Sequence, residues 1–190
     1  MELVYKLNLP PLDQWIRQDI MNIHDDDKPE NTIMFRNCHD LFITNTICGI
    51  EFSNILYLKK TETEGWIHSD SSANEFHFGI NFNTLGRMTL KYWLPEDVEL
   101  KNSESVDHKS NINYKNKITY PVYQALREPY KTYILEPNSV YLVNATVPHS
   151  GNSVVLKKSY SLRTTDKERQ IKKLDNWETV VNTFKSLIIL

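Results

Sequence analysis

Between residues 76 and 83 the chain alternates strictly, with Phe76, Phe78, Ile80 and Phe82 on one side and His77, Gly79, Asn81 and Asn83 on the other. Period two predicts a strand with one apolar face and one face of small and polar groups. The turn Thr84-Leu85-Gly86-Arg87 then leads into an apolar run over 88–94, so a hairpin is expected here. Shorter runs of strand character recur at 32–35, 41–44, 55–60, 140–144, 154–156 and 159–164. Helical spacing is confined to the two ends. Leu12, Trp15, Ile16 and Ile20 follow Pro10-Pro11, and Trp177, Val180, Val181, Phe184 and Ile188 follow Asp175 or Asn176 as a cap.

Many short strands with helices only at the ends predict a mainly β protein. The expected architecture is a double-stranded β-helix, a jelly-roll or cupin-like barrel with flanking N- and C-terminal helices. No repeat or linker interrupts it, so residues 1–190 are expected to form a single domain with its core at about residues 52–165. Residues 95–118 break the pattern. Within 101–117 only Val106, Ile112 and Tyr114 relieve a polar run, which reads as a loop excursion from the barrel. The following stretch, 119–133, carries Tyr120, Tyr123, Tyr130 and Tyr133 and is expected to cover the mouth of the site.

Composition narrows the function without naming it. A formal net charge of −2 leaves no basic footprint for nucleic acid. No apolar run reaches membrane-spanning length, and the N-terminus has no basic stretch followed by a long apolar one. Cys38 and Cys48 have no paired metal-site spacing and read as reduced thiols, so a cytoplasmic location is expected.

The candidate chemistry lies in three dispersed pieces. His68 and Asp70 are two residues apart in strand-like sequence and so share a face. His149 follows in Pro148-His149-Ser150, and Arg163 closes the last strand-like run. Two imidazoles and one carboxylate on adjacent positions leave open sites on iron(II). His24 and Asp26 repeat the His-x-Asp pattern, but in a polar, proline-punctuated run that reads as a solvated loop. His39 and His108 read as surface residues, Arg87 as a turn residue and His77 as a strand histidine facing the pocket.

The ordered set His68-x-Asp70, His149 and Arg163 resembles the iron(II)/2-oxoglutarate dioxygenase superfamily. Short prolyl hydroxylase-like and aspartyl/asparaginyl hydroxylase-like members are the most similar. Ile80-Asn81-Phe82 resembles the strand after the first two ligands, and the run from Glu136 through Asn144 to Pro148 resembles the approach to the distal histidine. The resemblance implies that His68, Asp70 and His149 hold Fe(II), on which the co-substrate 2-oxoglutarate chelates through its keto and C1 carboxylate oxygens. It further implies that Arg163 anchors the far carboxylate, since a guanidinium meets a carboxylate bidentately and keeps its charge. Ser161 shares the Arg163 face by period two, and Asn81 and Tyr57 are further candidates to touch co-substrate or substrate. Each of these last two reads equally well as a buried polar group satisfied by backbone.

In the most similar members a basic residue stands where this chain has Ser159. Lys158 is therefore the alternative anchor, beside Lys157 in what reads as a solvated pair. The implied activity is hydroxylation of a peptidyl residue, an amino acid or a small metabolite. The competing readings are a cupin-type isomerase or sugar-binding module, and a non-catalytic jelly roll in which these side chains are incidental.

Overall fold

The protein is described by a computed structural model covering residues 1–17, 31–35, 38–60, 65–70, 76–107 and 117–189. Strands are β1 (Val4–Leu7), β2 (Asn31–Phe35), β3 (Thr46–Ile47), β4 (Ile50–Glu51), β5 (Asn54–Lys60), β6 (Ile67–His68) and β7 (Phe78–Leu85). They continue with β8 (Met88–Tyr92), β9 (Val98–Asp107), β10 (Lys117–Ala125), β11 (Lys131–Leu135), β12 (Ser139–Asn144), β13 (His149–Asn152) and β14 (Lys157–Arg163). Two helices follow, α1 (Asp166–Ile171) and α2 (Trp177–Phe184).

Twelve of these strands make two antiparallel sheets of six, ordered β1-β12-β7-β14-β5-β2 and β11-β8-β13-β6-β10-β9. From β5 to β8, and again from β12 to β14, each successive strand joins the opposite sheet. That traffic is the signature of a jelly roll, and it corrects the expected hairpin. β7 and β8 are joined by a tight turn at Gly86, yet they pair in different sheets. Gly86 has φ +72°, and a Cβ there would meet the Leu156 carbonyl at 2.4 Å, so the turn requires glycine.

The first sheet is buried on both faces. Its outer face carries Ile55, Tyr57, Phe78, Ile80, Phe82, Tyr160 and Leu162 in one cluster with Trp177, Val180 and Phe184 of α2. Burying each such helix side chain contributes about 1.5–3 kcal/mol, which is what holds an eight-residue helix in place. Asn176 caps α2 by accepting from the Thr179 amide, and Thr165 caps α1 by accepting from Glu168. A second cluster inside the barrel joins Met88, Leu90, Tyr92, Leu135, Tyr141 and Val143 to Leu3 and Val4 of the N-terminal segment.

Several expected elements differ. Over its described residues the expected N-terminal helix is a 3₁₀ turn, Leu12–Gln14, after which Ile16 bridges to Phe42; Ile20 lies outside the described residues. The strand expected at 41–44 is replaced by a 3₁₀ turn, His39–Leu41, that buries Leu41 and leaves Ile43 exposed. The polar excursion is a long antiparallel hairpin, β9 with β10, added to the edge of the second sheet beyond β6. Its tip, 108–116, lies outside the described residues, as do His24, Asp26 and His108. Val154 and Val155 form an exposed turn rather than a strand, because β14 begins only at Lys157.

Candidate metal centre

β6 lies between β13 and β10, and its register sets His68 opposite both His149 and Val122. Two histidines 81 positions apart thereby become cross-strand neighbours, with ring centroids 4.6 Å apart. Asp70 follows the end of β6, where its amide donates to the Ala145 carbonyl at 2.9 Å. One ligand atom from each of His68, Asp70 and His149 lies within 4.8 Å of the others, and His68 Nε2 is 3.5 Å from Asp70 Oδ1. Adjacent donors on one divalent ion, each about 2.1 Å from it, stand about 3 Å apart. The group is therefore close to a coordinating arrangement.

Both imidazoles are keyed the same way. His68 Nδ1 lies 3.0 Å from the Trp66 carbonyl and His149 Nδ1 lies 2.9 Å from the Val147 carbonyl. A carbonyl only accepts, so each Nδ1 carries the proton and each Nε2 is left with a lone pair for a metal. Tyr92, opposite His149 in the ladder, packs its ring 5.6 Å from that imidazole and donates its hydroxyl to the Asn144 carbonyl. It fixes the ring plane of His149.

Charge follows geometry. Burial, together with the neighbouring His68 imidazole, lowers His149 to about 4, which keeps it neutral and ready to ligate. Burial alone would raise the Asp70 carboxyl, but the Arg163 guanidinium beside it holds it well below the usual carboxylate range. Arg163 Nη2 sits 2.8 Å from Asp70 Oδ2, and each side chain is 13% exposed. Gly79 makes this possible: a Cβ there would stand 2.6 Å from Ser161 Oγ and 3.0 Å from Arg163 Cζ and Nε.

The folded protein therefore resists protonation of His149, and below pH 6.5 the unfolded chain binds the proton first. Its contribution, on the order of 3 kcal/mol, is complete above pH 6.5 and is lost as pH falls toward 4. Urea unfolding of the metal-free protein across that window should show this loss, and His149→Gln should flatten it. An unchanged slope in the variant would place the acid sensitivity elsewhere.

The sequence candidates divide cleanly. Asn81 pairs with Tyr141 on one side and Ser161 on the other, so Asn81, Ser161 and Arg163 share the inner face of the first sheet. Asn81 Oδ1, Ser161 Oγ and Arg163 Nε are buried without a hydrogen-bond partner among the described residues. Tyr57 is a correction. It pairs with Tyr160, packs against that ring at a tilt with centroids 4.9 Å apart and lies on the outer face in the apolar cluster, on the side of the sheet opposite Arg163. Lys158 alternates onto that outer side too, which removes it as an anchor. His77 precedes β7, and its backbone is engaged by Thr146 and Ala145. His39 is exposed near Glu51, and Arg87 pairs with Glu136 at the turn. Sequence reasoning missed Gly65, Gly79, Tyr92 and the buried Lys157. For Lys157 the signal was available, since 157, 159, 161 and 163 share one strand parity.

No family model matches the chain, and no curated protein matches it. Among solved structures, an X-ray structure of E. coli ycfD is similar over 92% of this chain and 53% of that one, with 11% identity and a TM-score of 0.39. A crystal structure of Escherichia coli ribosomal oxygenase YcfD gives 91% and 51%, 11% identity and 0.37. The chain spans about half the length of these proteins.

Proposed function

We propose that this protein is an Fe(II)- and 2-oxoglutarate-dependent dioxygenase that hydroxylates a peptidyl residue, an amino acid or a small metabolite. The observation that carries the reading is the convergence of His68, Asp70 and His149 at the inner wall of the barrel, with both imidazoles presenting Nε2. A two-histidine, one-carboxylate set with open positions suits non-haem iron(II). The fit extends to the co-substrate, because three buried polar atoms beside the ligands await partners: Asn81 Oδ1, Ser161 Oγ and Arg163 Nε.

Iron(II) and 2-oxoglutarate, when bound, supply the oxidising chemistry: dioxygen is consumed, succinate and carbon dioxide leave, and a C–H bond becomes C–OH. The chain's own residues do the rest. His68, Asp70 and His149 hold the ion. Arg163 neutralises and orients Asp70, so that one carboxylate oxygen is occupied while the other is free to ligate. Ser161 and Asn81 donate to or accept from the bound acid. Tyr92, Val122 and Leu90 wall the ligands from bulk water, which strengthens each of these polar contacts.

Anaerobic addition of iron(II) and 2-oxoglutarate should produce a weak visible charge-transfer band, and air should then release succinate. A protein that binds iron(II) tightly but gives neither signal would be a metal-binding barrel of another kind. One that binds no metal would be a non-catalytic jelly roll.

A further inference from the structure

Lys157 is 0% exposed, although it opens a strand at the far end of the barrel from the metal ligands. It has the strand parity of Ser159, Ser161 and Arg163 and so points inward. Its Nζ lies 2.6 Å from Met88 Sδ, and a Cβ on Gly151 would stand 3.4 Å from that nitrogen. Met88 and Gly151 belong to the second sheet, so the ammonium crosses the barrel to reach the opposite wall. Gly151 is two residues beyond His149 on the same face, a separation of about 7 Å along the strand. Between these levels the inner wall of β14 carries only the small side chains of Ser159 and Ser161.

Among the described residues, two cations thus point into the barrel at different depths. Arg163, the upper one, has both Nη atoms engaged, Nη2 with Asp70 and Nη1 donating to the Phe78 carbonyl at 3.3 Å, so only its Nε remains for the bound acid and no two-pronged grip on a carboxylate is left. Lys157 stands below, at the depth of the far end of a five-carbon chain whose near end lies among the ligands.

We infer that Lys157, not Arg163, receives the second carboxylate of the co-substrate and selects dicarboxylic over monocarboxylic 2-oxo acids. The inference rests on the dioxygenase reading. Arg163 is then a positioning residue for Asp70, and Gly151 is the vacancy that admits the ammonium.

The test compares wild type with Lys157→Met, Lys157→Arg and Arg163→Met. Mn(II) binding followed by electron paramagnetic resonance comes first. Anaerobic titrations with 2-oxoglutarate and with 2-oxopentanoate, which has a methyl group in place of the far carboxylate, come next. Wild type should prefer 2-oxoglutarate strongly. Lys157→Met should lower that preference about 100-fold, by weakening 2-oxoglutarate alone, while Mn(II) still binds. Lys157→Arg should keep most of it. Replacing a buried charge by an apolar group of similar shape is often tolerated by folds, and a thermal melt of each variant checks this. If Lys157→Met keeps the wild-type preference while Arg163→Met loses it, the assignment is overturned and the dioxygenase reading stands. If wild type binds no Mn(II), both are overturned.

Discussion

On the dioxygenase reading Asp70→Ala should remove metal binding and turnover together, and it should also destabilise the metal-free protein by about 3–5 kcal/mol. The first effect follows from losing the only anionic donor of the three. The second is less obvious from the sequence, where a ligand at a strand end reads as lying outside the core. In the fold, Asp70 and Arg163 face each other at 2.8 Å with each side chain 13% exposed. Truncating the carboxylate strands a guanidinium in a place where water reaches it poorly. A guanidinium keeps its charge in any protein environment, so the cost is not relieved by neutralisation. The double variant Asp70→Ala/Arg163→Met should therefore recover most of the lost stability while remaining unable to bind metal. His68→Ala is the contrast: its side chain is 31% exposed, so it should lose the metal at little cost to the fold. Urea unfolding in chelator and Mn(II) titration measure the two effects separately. Equal stability of Asp70→Ala and wild type would mean that solvent, not Asp70, balances Arg163.

The alternation from Phe76 to Asn83 shows what a sequence can reveal. Both faces of β7 were legible, because burial on the outer face and polarity toward the site follow period two within one strand. The convergence of His68, Asp70 and His149 was legible for a different reason: their residue types and chain order are chemistry, whatever the fold around them. What failed was non-local. Gly86 announces a tight turn, but nothing in the turn says that β7 and β8 join different sheets. Tyr57 and Arg163 lie on opposite faces, and comparing their parity requires the β5–β14 register, which pairs Tyr57 with Tyr160. The hairpin of β9 and β10 was hidden because periodicity reports burial, whereas this ladder rests on backbone hydrogen bonds, and Leu100 is exposed on it. Lys157 was misread for a simpler reason. Two adjacent lysines suggest a solvated face, yet in a strand adjacent residues point oppositely, and only one of the two can be outside when both faces of the sheet are covered.

Gly65→Ala should weaken Mn(II) binding by about 10- to 100-fold, the range expected when groups outside the coordination shell misplace the ligands. Gly65 is not one of the three converging residues. It sits where the chain enters β6 against β13, with its amide donating to Asn152 Oδ1 at 3.0 Å. A Cβ at this position would stand 2.6 Å from the Gly151 carbonyl oxygen and 3.2 Å from the Gly151 nitrogen. Those atoms are backbone, fixed by the pairing of β13 with β8, so the entering chain has to withdraw instead. His68 is three residues on and faces His149 across the same narrow ladder, and both ligands depend on that closeness. Gly79→Ala makes the useful comparison. Its Cβ would press on Ser161 Oγ and on the Arg163 guanidinium, side-chain groups able to turn aside, so it should perturb the acid more than the ion. Titrating both variants with Mn(II) and then with 2-oxoglutarate separates the two cases. Wild-type metal affinity in Gly65→Ala would mean that the Asp70 amide bond to Ala145, rather than glycine contact at the strand entry, holds β6 in place.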